Sequence, residues 1–397
     1  MIVAGAGIAG LTAALALVRF GFRVTVLEQA ERLEETGAGI QLSPNASRVL
    51  IELGLGERLQ EHAVVPEALR VHDAATGRAI VRMPLGPEIE RRHGAPYWSI
   101  HRGDLQAALA AAVAARGDIS LKLGMRVEDF ETHGKGVSVA ARGRSGIWHE
   151  HGSALIAADG LWSLARGRLG FRDEPRFSSR VAFRAVVPAR DVASDLREPM
   201  IHLWLGRNAH LVHYPVKAGD LVNIVAITAD DWQAAGWSEP AGRAEVLPRF
   251  PAERWAAPAR ALLALPDSWL KWALYDRPAL SRWSQGAVAL IGDAAHPMLP
   301  YLAQGAAMAI EDSAVLADAL ARRPDDAAAA FRAYCFARRA RTRRVQQLAA
   351  RNGTLYHLPR LAGLARNMAM RAMGGTHLLR HHDWIYAWQP PPAAPTT

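Results

Sequence analysis

Apolar positions along the chain fall into two rhythms, one of runs closed by an acid or a glycine, the other of short alternating strands. Ile2 to Ala4 opens as a strand, the glycine-rich stretch Gly5–Gly10 follows, and Leu11 to Phe20 has the apolar density of a buried helix ending near Gly21. Arg23 to Glu28 is a second strand with an acid at its end, completing a strand–helix–strand unit. The same punctuation returns twice. Ala154 to Ala158 closes in Asp159-Gly160, and Val288 to Ile291 closes in Gly292-Asp293, runs through Pro297 and Pro300, and opens at Gly305 into an alanine-rich helix reaching Ala321. Further helices are predicted over Ala46–Leu53, Leu105–Ala115 and Pro324–Asn352, and hairpin-like strands near Leu121–Phe130 and Gly136–Ala140. Between Arg180 and about Arg277 the second rhythm takes over, with strands at Val181–Val187, Met200–Leu205, His210–Val216, Leu221–Ile227 and Leu270–Leu274. Gly, Pro, Asp and Asn between them predict a mostly antiparallel sheet, interrupted over Asp230–Pro266 by an irregular and then helical stretch. The fold class is α/β with this sheet inserted.

The glycines carry chemistry. In Gly5-Ala6-Gly7-Ile8-Ala9-Gly10 the first glycine permits a tight turn, the second lets the backbone approach a pyrophosphate, and the third lets helix and strand pack closely. Glu28, 18 residues after Gly10, is placed to accept a hydrogen bond from a ribose 2′-hydroxyl. An acid there argues against a 2′-phosphate, so FAD or NAD suits the site better than NADP. Arg102, in His101-Arg102-Gly103-Asp104-Leu105, precedes a helix, where a guanidinium can reach a pyrophosphate or ribityl chain or simply face solvent. The Gly37–Asn45 stretch reads as an irregular loop before a capped helix.

Composition narrows the classes. Of 397 residues half are hydrophobic and 21% charged, ample for a large core. No apolar run reaches the roughly 18 residues of a membrane helix, and the glycine-rich N-terminus lacks a basic leader. A cytoplasmic protein is expected. Only Met1 precedes the first strand, which leaves that strand short and suggests a natural start a few residues earlier. A single cysteine, Cys335, excludes an intrachain disulfide, and no metal-ligand cluster is visible. The net charge of +9 includes seven arginines between Arg332 and Arg351. Interleaved apolar residues make that segment an amphipathic helix with a solvated basic side, and no nucleic-acid motif accompanies it.

Taken together, Gly5–Gly10 with Glu28, the Asp159-Gly160 motif in LIAADGLWSLAR, and Gly292-Asp293 in ALIGDAAHPMLPYLAQGAAMAIEDS resemble the class A flavoprotein aromatic monooxygenases, the para-hydroxybenzoate hydroxylase type. The resemblance covers roughly residues 1–345. WALYDRP at Trp272–Pro278 and the PYLAQG turn bring the chain nearest to the salicylate, 3-hydroxybenzoate and 6-hydroxynicotinate hydroxylases. It implies a Rossmann-like FAD-binding domain in two parts, 1–179 and 278–322, around a substrate domain at 180–277. A C-terminal helical region at 323–388, packed on the domain or across a homodimer, and a disordered tail at 389–397 complete the expected layout.

By the same resemblance Asp293 holds the ribityl chain, Asp159 serves FAD and transient nicotinamide binding, Gln41 and Arg102 are polar cofactor contacts, and Val127, Pro300, Gly305 and Ala306 lie against the cofactor with Ala6 of the glycine loop. The N-terminus of the Gly305–Ala321 helix would favour anionic reduced flavin. NADH or NADPH is the implied reductant, O2 the co-substrate, and a small phenolic or N-heteroaromatic acid the ring hydroxylated, through a flavin C4a-hydroperoxide. In His210-Leu211-Val212-His213-Tyr214 strand alternation puts His210 and Tyr214 on one face, matching a His and Tyr that face substrate in these hydroxylases. They are the expected proton acceptors. Pro300 would shape a dry turn beside the reacting flavin atom, and Tyr301 stands where the hydroxynicotinate enzymes carry a histidine. His202 and Trp204 share a strand face and either line the pocket or pack in the core. Three other readings stay open: a flavin halogenase, a flavoprotein oxidase or dehydrogenase without ring hydroxylation, and a non-enzymatic flavin-binding redox sensor.

Overall fold

The computed structural model describes residues 1–33, 38–233 and 238–392. Gly37 and the last five residues of the expected tail lie outside them. Six strands form the first sheet, in the order Ser284–Gln285, Val288–Leu290, Leu155–Ala157, Ile2–Ala4, Val24–Leu27 and Ile119–Lys122. All neighbours are parallel except the first pair. Its central strands have no exposed residue on either face because helices cover both. The Ile8–Val18 helix is buried nearly all round, between this sheet and the Gly305–Ala321 helix.

The second large sheet has eight strands, in the order Glu239–Gly242, Ser268–Asp276, Arg176–Pro188, Leu221–Ala229, Ala209–Val216, Met200–Gly206, Ala68–Asp73 and Ala79–Pro84. All pairs are antiparallel but Met200–Gly206 with Ala68–Asp73. Its last two strands come from residues well before 180, so the sheet is built from both sides of the expected insertion point. One face packs on the Trp204, Trp255, Trp269 and Phe250 cluster. The other turns toward the first sheet.

Three local differences from the sequence reading have simple causes. The stretch around Leu121–Phe130 is two strands, Ile119–Lys122 in the parallel sheet and Arg126–His133 in a separate three-stranded sheet. Gly124, at φ +70°, makes the break, and its N–H donates to the Ala30 carbonyl. The loop before Asn45 contains a strand, Gly39–Leu42, paired with Trp98–His101. The arginine-rich helix, Ala327–Tyr356, is capped by the Asp326 side chain, and two of its arginines turn inward, one buried and one partly so. Arg338, 1% exposed, pairs with Glu311 and Asp312 of the Gly305–Ala321 helix, and Arg341 also pairs with Glu311. The tail is anchored at its start, where Pro392 accepts a hydrogen bond from Arg322 at 3.0 Å.

Candidate active site

Five parallel strands end at one edge of the first sheet, and the loops leaving four of them carry the glycines and acids. Ligands bind at this edge in open α/β sheets because helix N-termini and loop N–H groups converge there. Gly5 has φ +101°, and a Cβ there would lie 2.5 Å from the Ala158 carbonyl oxygen. At Gly10 a Cβ would lie 1.9 Å from the Gly5 carbonyl oxygen, so only glycine lets the helix sit this close. At Gly7 a Cβ would meet nothing within 4 Å. That backbone faces an open cavity of about 1140 Å³.

Glu28 borders the same cavity and organises the loop: its carboxylate accepts from the Ala6 N–H at 2.7 Å and the Ala30 N–H at 2.8 Å. Ala6, fully buried, and Gly10 shape the loop from behind and are not on the cavity wall, contrary to a direct contact for Ala6. Gln41, Arg102, Val127, Asp159, Asp293, Pro300, Gly305 and Ala306 are on it. Arg102 occupies the first position of the Arg102–Ala114 helix. Asp293 is exposed to the cavity yet ringed by protein; that enclosure raises its carboxyl above the usual range, with His296 and Arg102 opposing. Burial likewise raises Asp159, whose Oδ2 accepts from the Ala165 N–H at 3.0 Å while its Oδ1 has no partner.

The wall opposite comes from the eight-stranded sheet. Pairing of His210 with Ile227, Val212 with Val225 and Tyr214 with Asn223 sets these residues side by side on one face. Arg184 and Trp272 extend that face on the next two strands. His210 and Tyr214 thus both reach the cavity, as strand alternation requires. Burial depresses the His210 pKa well below its ordinary value, aided by His357 and Arg180, and raises that of Tyr214, against Arg184 and Gln41. Both are therefore neutral at pH 7. His202 and Trp204 face the other way, where His72, His202 and His213 stack.

Tyr301 sits one layer back from the cavity. Its ring lies behind His210, centroids 5.5 Å apart, and is not on the cavity wall. Gly353 of the long helix makes room for it, since a Cβ there would lie 2.6 Å from the tyrosine ring. Arg184 is the residue sequence reasoning missed. Its guanidinium lies over the Trp272 ring at 4.9 Å, burial lowers its pKa only to about 10, and its Nε has no partner. The signal was there: in VAFRAVV, Arg184 shares its face with Ala182 and Val186, a charge in an apolar register.

A family profile described as FAD binding domain matches residues 1–349. The 3-hydroxybenzoate 6-hydroxylase of Polaromonas naphthalenivorans is 38% identical over 391 residues, 98% of this chain and 96% of that protein. The chain belongs to the FAD-dependent aromatic monooxygenases. The 6-hydroxynicotinate 3-monooxygenase of Bordetella bronchiseptica is 33% identical over 88% of this chain and 90% of that protein. Among solved structures, a salicylate hydroxylase substrate complex matches with a TM-score of 0.79 at 26% identity, covering 99% of this chain and 98% of that one. Klebsiella pneumoniae HpxO complexed with FAD and uric acid matches at 0.84 and 27%, covering 96% and 94%.

The residues present fit the dinucleotide. The bare backbone at Gly7 is a cradle, the unpaired Asp159 oxygen is a ready acceptor, and one continuous cavity runs from Glu28 to Trp272. The enzyme's Gly305–Ala321 helix points its first turn at that cavity, and Gln304 just before it is fixed by Ser43 and Asn45. Ala303, at φ +51°, holds the preceding turn in a conformation that costs a non-glycine residue of order 1–3 kcal/mol.

Proposed function

We propose that the enzyme hydroxylates a phenolic or N-heteroaromatic acid of the hydroxybenzoate class, with the ring lying between the cofactor loops and the face formed by Arg184, His210, Val212 and Tyr214. The observation that carries this reading is the convergence on one cavity wall of a neutral histidine, a tyrosine and an uncompensated arginine. Arg184 would hold the carboxylate, because a guanidinium left in a dry site without a counter-ion favours an anionic partner. His210 would accept the ring hydroxyl proton, raising electron density at the ortho and para carbons. Tyr214 would fix the hydroxyl's orientation. The relatives that act on 3-hydroxybenzoate and 6-hydroxynicotinate support an acid of that size.

For the cofactor, Gly5 and Gly7 would face the pyrophosphate, Glu28 the ribose, Arg102 and Asp293 the ribityl and phosphate groups, and Gln41, Val127, Asp159, Pro300, Gly305 and Ala306 the remaining surface. FAD held there supplies the redox chemistry, taking electrons from NAD(P)H and activating O2. The protein's share is to position the ring and exclude water, which Pro300 and Met298 do as apolar wall. Among the described residues no helix is long and apolar enough to cross a membrane, which supports a cytoplasmic setting. Leu361, Leu364 and Met368 form an exposed apolar stripe on the Arg360–Met373 helix, which supports a homodimer.

The test is a panel of 3-hydroxybenzoate, 3-amino-4-hydroxybenzoate, salicylate and 6-hydroxynicotinate, scored by stimulated NAD(P)H oxidation and by the product formed. At least one acid should give a hydroxylated product. His210→Asn should retain FAD and lose product while H2O2 rises. Coupled turnover in that variant would remove His210 from the chemistry.

A further inference from the structure

We propose that His357, the residue capping the end of the Ala327–Tyr356 helix, is the outer member of a two-histidine relay that carries the substrate's hydroxyl proton from His210 to solvent; this rests on the assignment of His210 to the substrate pocket. Nδ1 of His210 lies 2.8 Å from Nε2 of His357. With Nδ1 so engaged, Nε2 is the His210 nitrogen left to meet a ligand in the cavity that the residue lines. Both residues are buried, His210 at 2% exposed and His357 at 6%, so what little contact with solvent the pair has is greater at His357.

The surroundings show why a second imidazole is needed. The charged groups acting on the pair are Arg180, two strands away across Leu221–Ala229, and Arg366, on the following helix, itself turned toward Asp73. Both are cations. Tyr301 and Tyr356 supply the remaining ring contacts, with centroids 5.5 and 5.4 Å from His210. No carboxylate among the described residues acts on either histidine, so an imidazolium would stand among cations in a dry site. Burial and those cations hold the His357 pKa down to about 3. A proton arriving at His210 is thus poorly stored and has to be handed on.

A concerted shift does this without placing a charge on either imidazole. The substrate O–H proton moves to Nε2 of His210, the Nδ1–H of His210 moves to Nε2 of His357, and the Nδ1–H of His357 passes to water or a buffer base. Each imidazole gains and loses one proton, a phenolate remains in the pocket, and the reverse shift resets both tautomers when the product is reprotonated. The geometry is held firmly. Tyr356 donates to the Tyr301 carbonyl at 3.2 Å and Asn352 to the same oxygen at 3.3 Å, while the Asn208 N–H donates to the His357 carbonyl at 3.4 Å. His357 is a positioning and relay residue, since it does not touch the cavity.

The experiment uses anaerobic holoenzyme mixed with 3-hydroxy-4-nitrobenzoate, whose phenolate absorbs visibly, and follows ionisation of the bound ligand by stopped flow across pH 6–8. His357→Gln, which keeps the volume and a hydrogen bond but cannot relay, should slow ionisation at least tenfold with FAD content and benzoate affinity unchanged. His357→Ala should be equally slow and recover with added imidazole. Wild-type ionisation rates in His357→Gln, or an alanine variant that imidazole does not restore, would overturn the relay. If His210→Gln also ionises the ligand at the wild-type rate, the assignment of His210 fails instead.

Discussion

The guanidinium of Arg184 lies 4.9 Å from the centre of the Trp272 ring, a cation stacked on an aromatic face at the wall of the cavity. The stacking compensates part of its desolvation, and its Nε remains without an acceptor. An anionic substrate group supplies one. Arg184→Gln should therefore raise KM for the aromatic acid by roughly 10- to 100-fold, the equivalent of a charge-assisted hydrogen bond of about 1.5–3 kcal/mol. Steady-state kinetics with an acid and its uncharged amide check this. The amide should be affected little, and equal losses for both would mean that Arg184 acts on the fold.

The glycine loop separates packing from binding. Gly10→Ala forces a methyl onto backbone 1.9 Å away, an overpacking that costs about 1–3 kcal/mol or more, so thermal unfolding of the apoprotein should move down. Gly7→Ala meets open space and should leave apoprotein melting in place while weakening FAD retention. Melting curves with and without added FAD distinguish the two.

The glycine-loop chemistry was legible in the sequence because it depends on residues a few positions apart. Strand alternation likewise put His210 and Tyr214 on one face. The surroundings of Tyr301 were not legible because its neighbours, Gly353 and His357, come from the end of a helix more than fifty residues on, and no local pattern shows which side of a turn that helix covers. Arg338 was read as solvated for the same reason. Its partners Glu311 and Asp312 sit on another helix, and helix periodicity alone assigns charges to the outside. Arg184 carried a local signal, a charge in an apolar register, but its meaning needs the cavity.

Arg338 tests that buried network. Burial would raise the Asp312 carboxyl, yet His296 and Arg338 hold it down to about 2. Removing the arginine leaves the buried carboxylates with one ion-pair partner each, Glu311 with Arg341 and Asp312 with His296, and breaking such buried pairs costs about 3–5 kcal/mol. Arg338→Met should express poorly or melt well below wild type, with FAD lost because Glu311 also fixes Asn45 beside Gln304. Differential scanning calorimetry reads it directly.

Acid stability follows from the stacked histidines on the outer face of the sheet. His72 and His202 share a hydrogen bond at 3.0 Å, and burial lowers them to about 4 and about 3 from an ordinary 6.5, with the buried His213 behind them also held well below its ordinary value. In the unfolded chain they bind protons near pH 6.5, whereas the folded chain resists until far lower. Their contribution is intact above pH 6.5 and is lost as pH falls toward 4 and 3. Tm measured from pH 7.5 to 4 should drop along this window, and His202→Phe should flatten the slope.

The central claim is that this cavity transfers one oxygen atom from O2 to an aromatic acid. The most direct measurement is turnover of the best acid of the panel under 18O2, with mass spectrometry of the product alongside NAD(P)H consumption. One 18O atom in the product for each NAD(P)H consumed is the predicted result; NAD(P)H oxidation that yields only H2O2 and unaltered acid, across the whole panel, would contradict it.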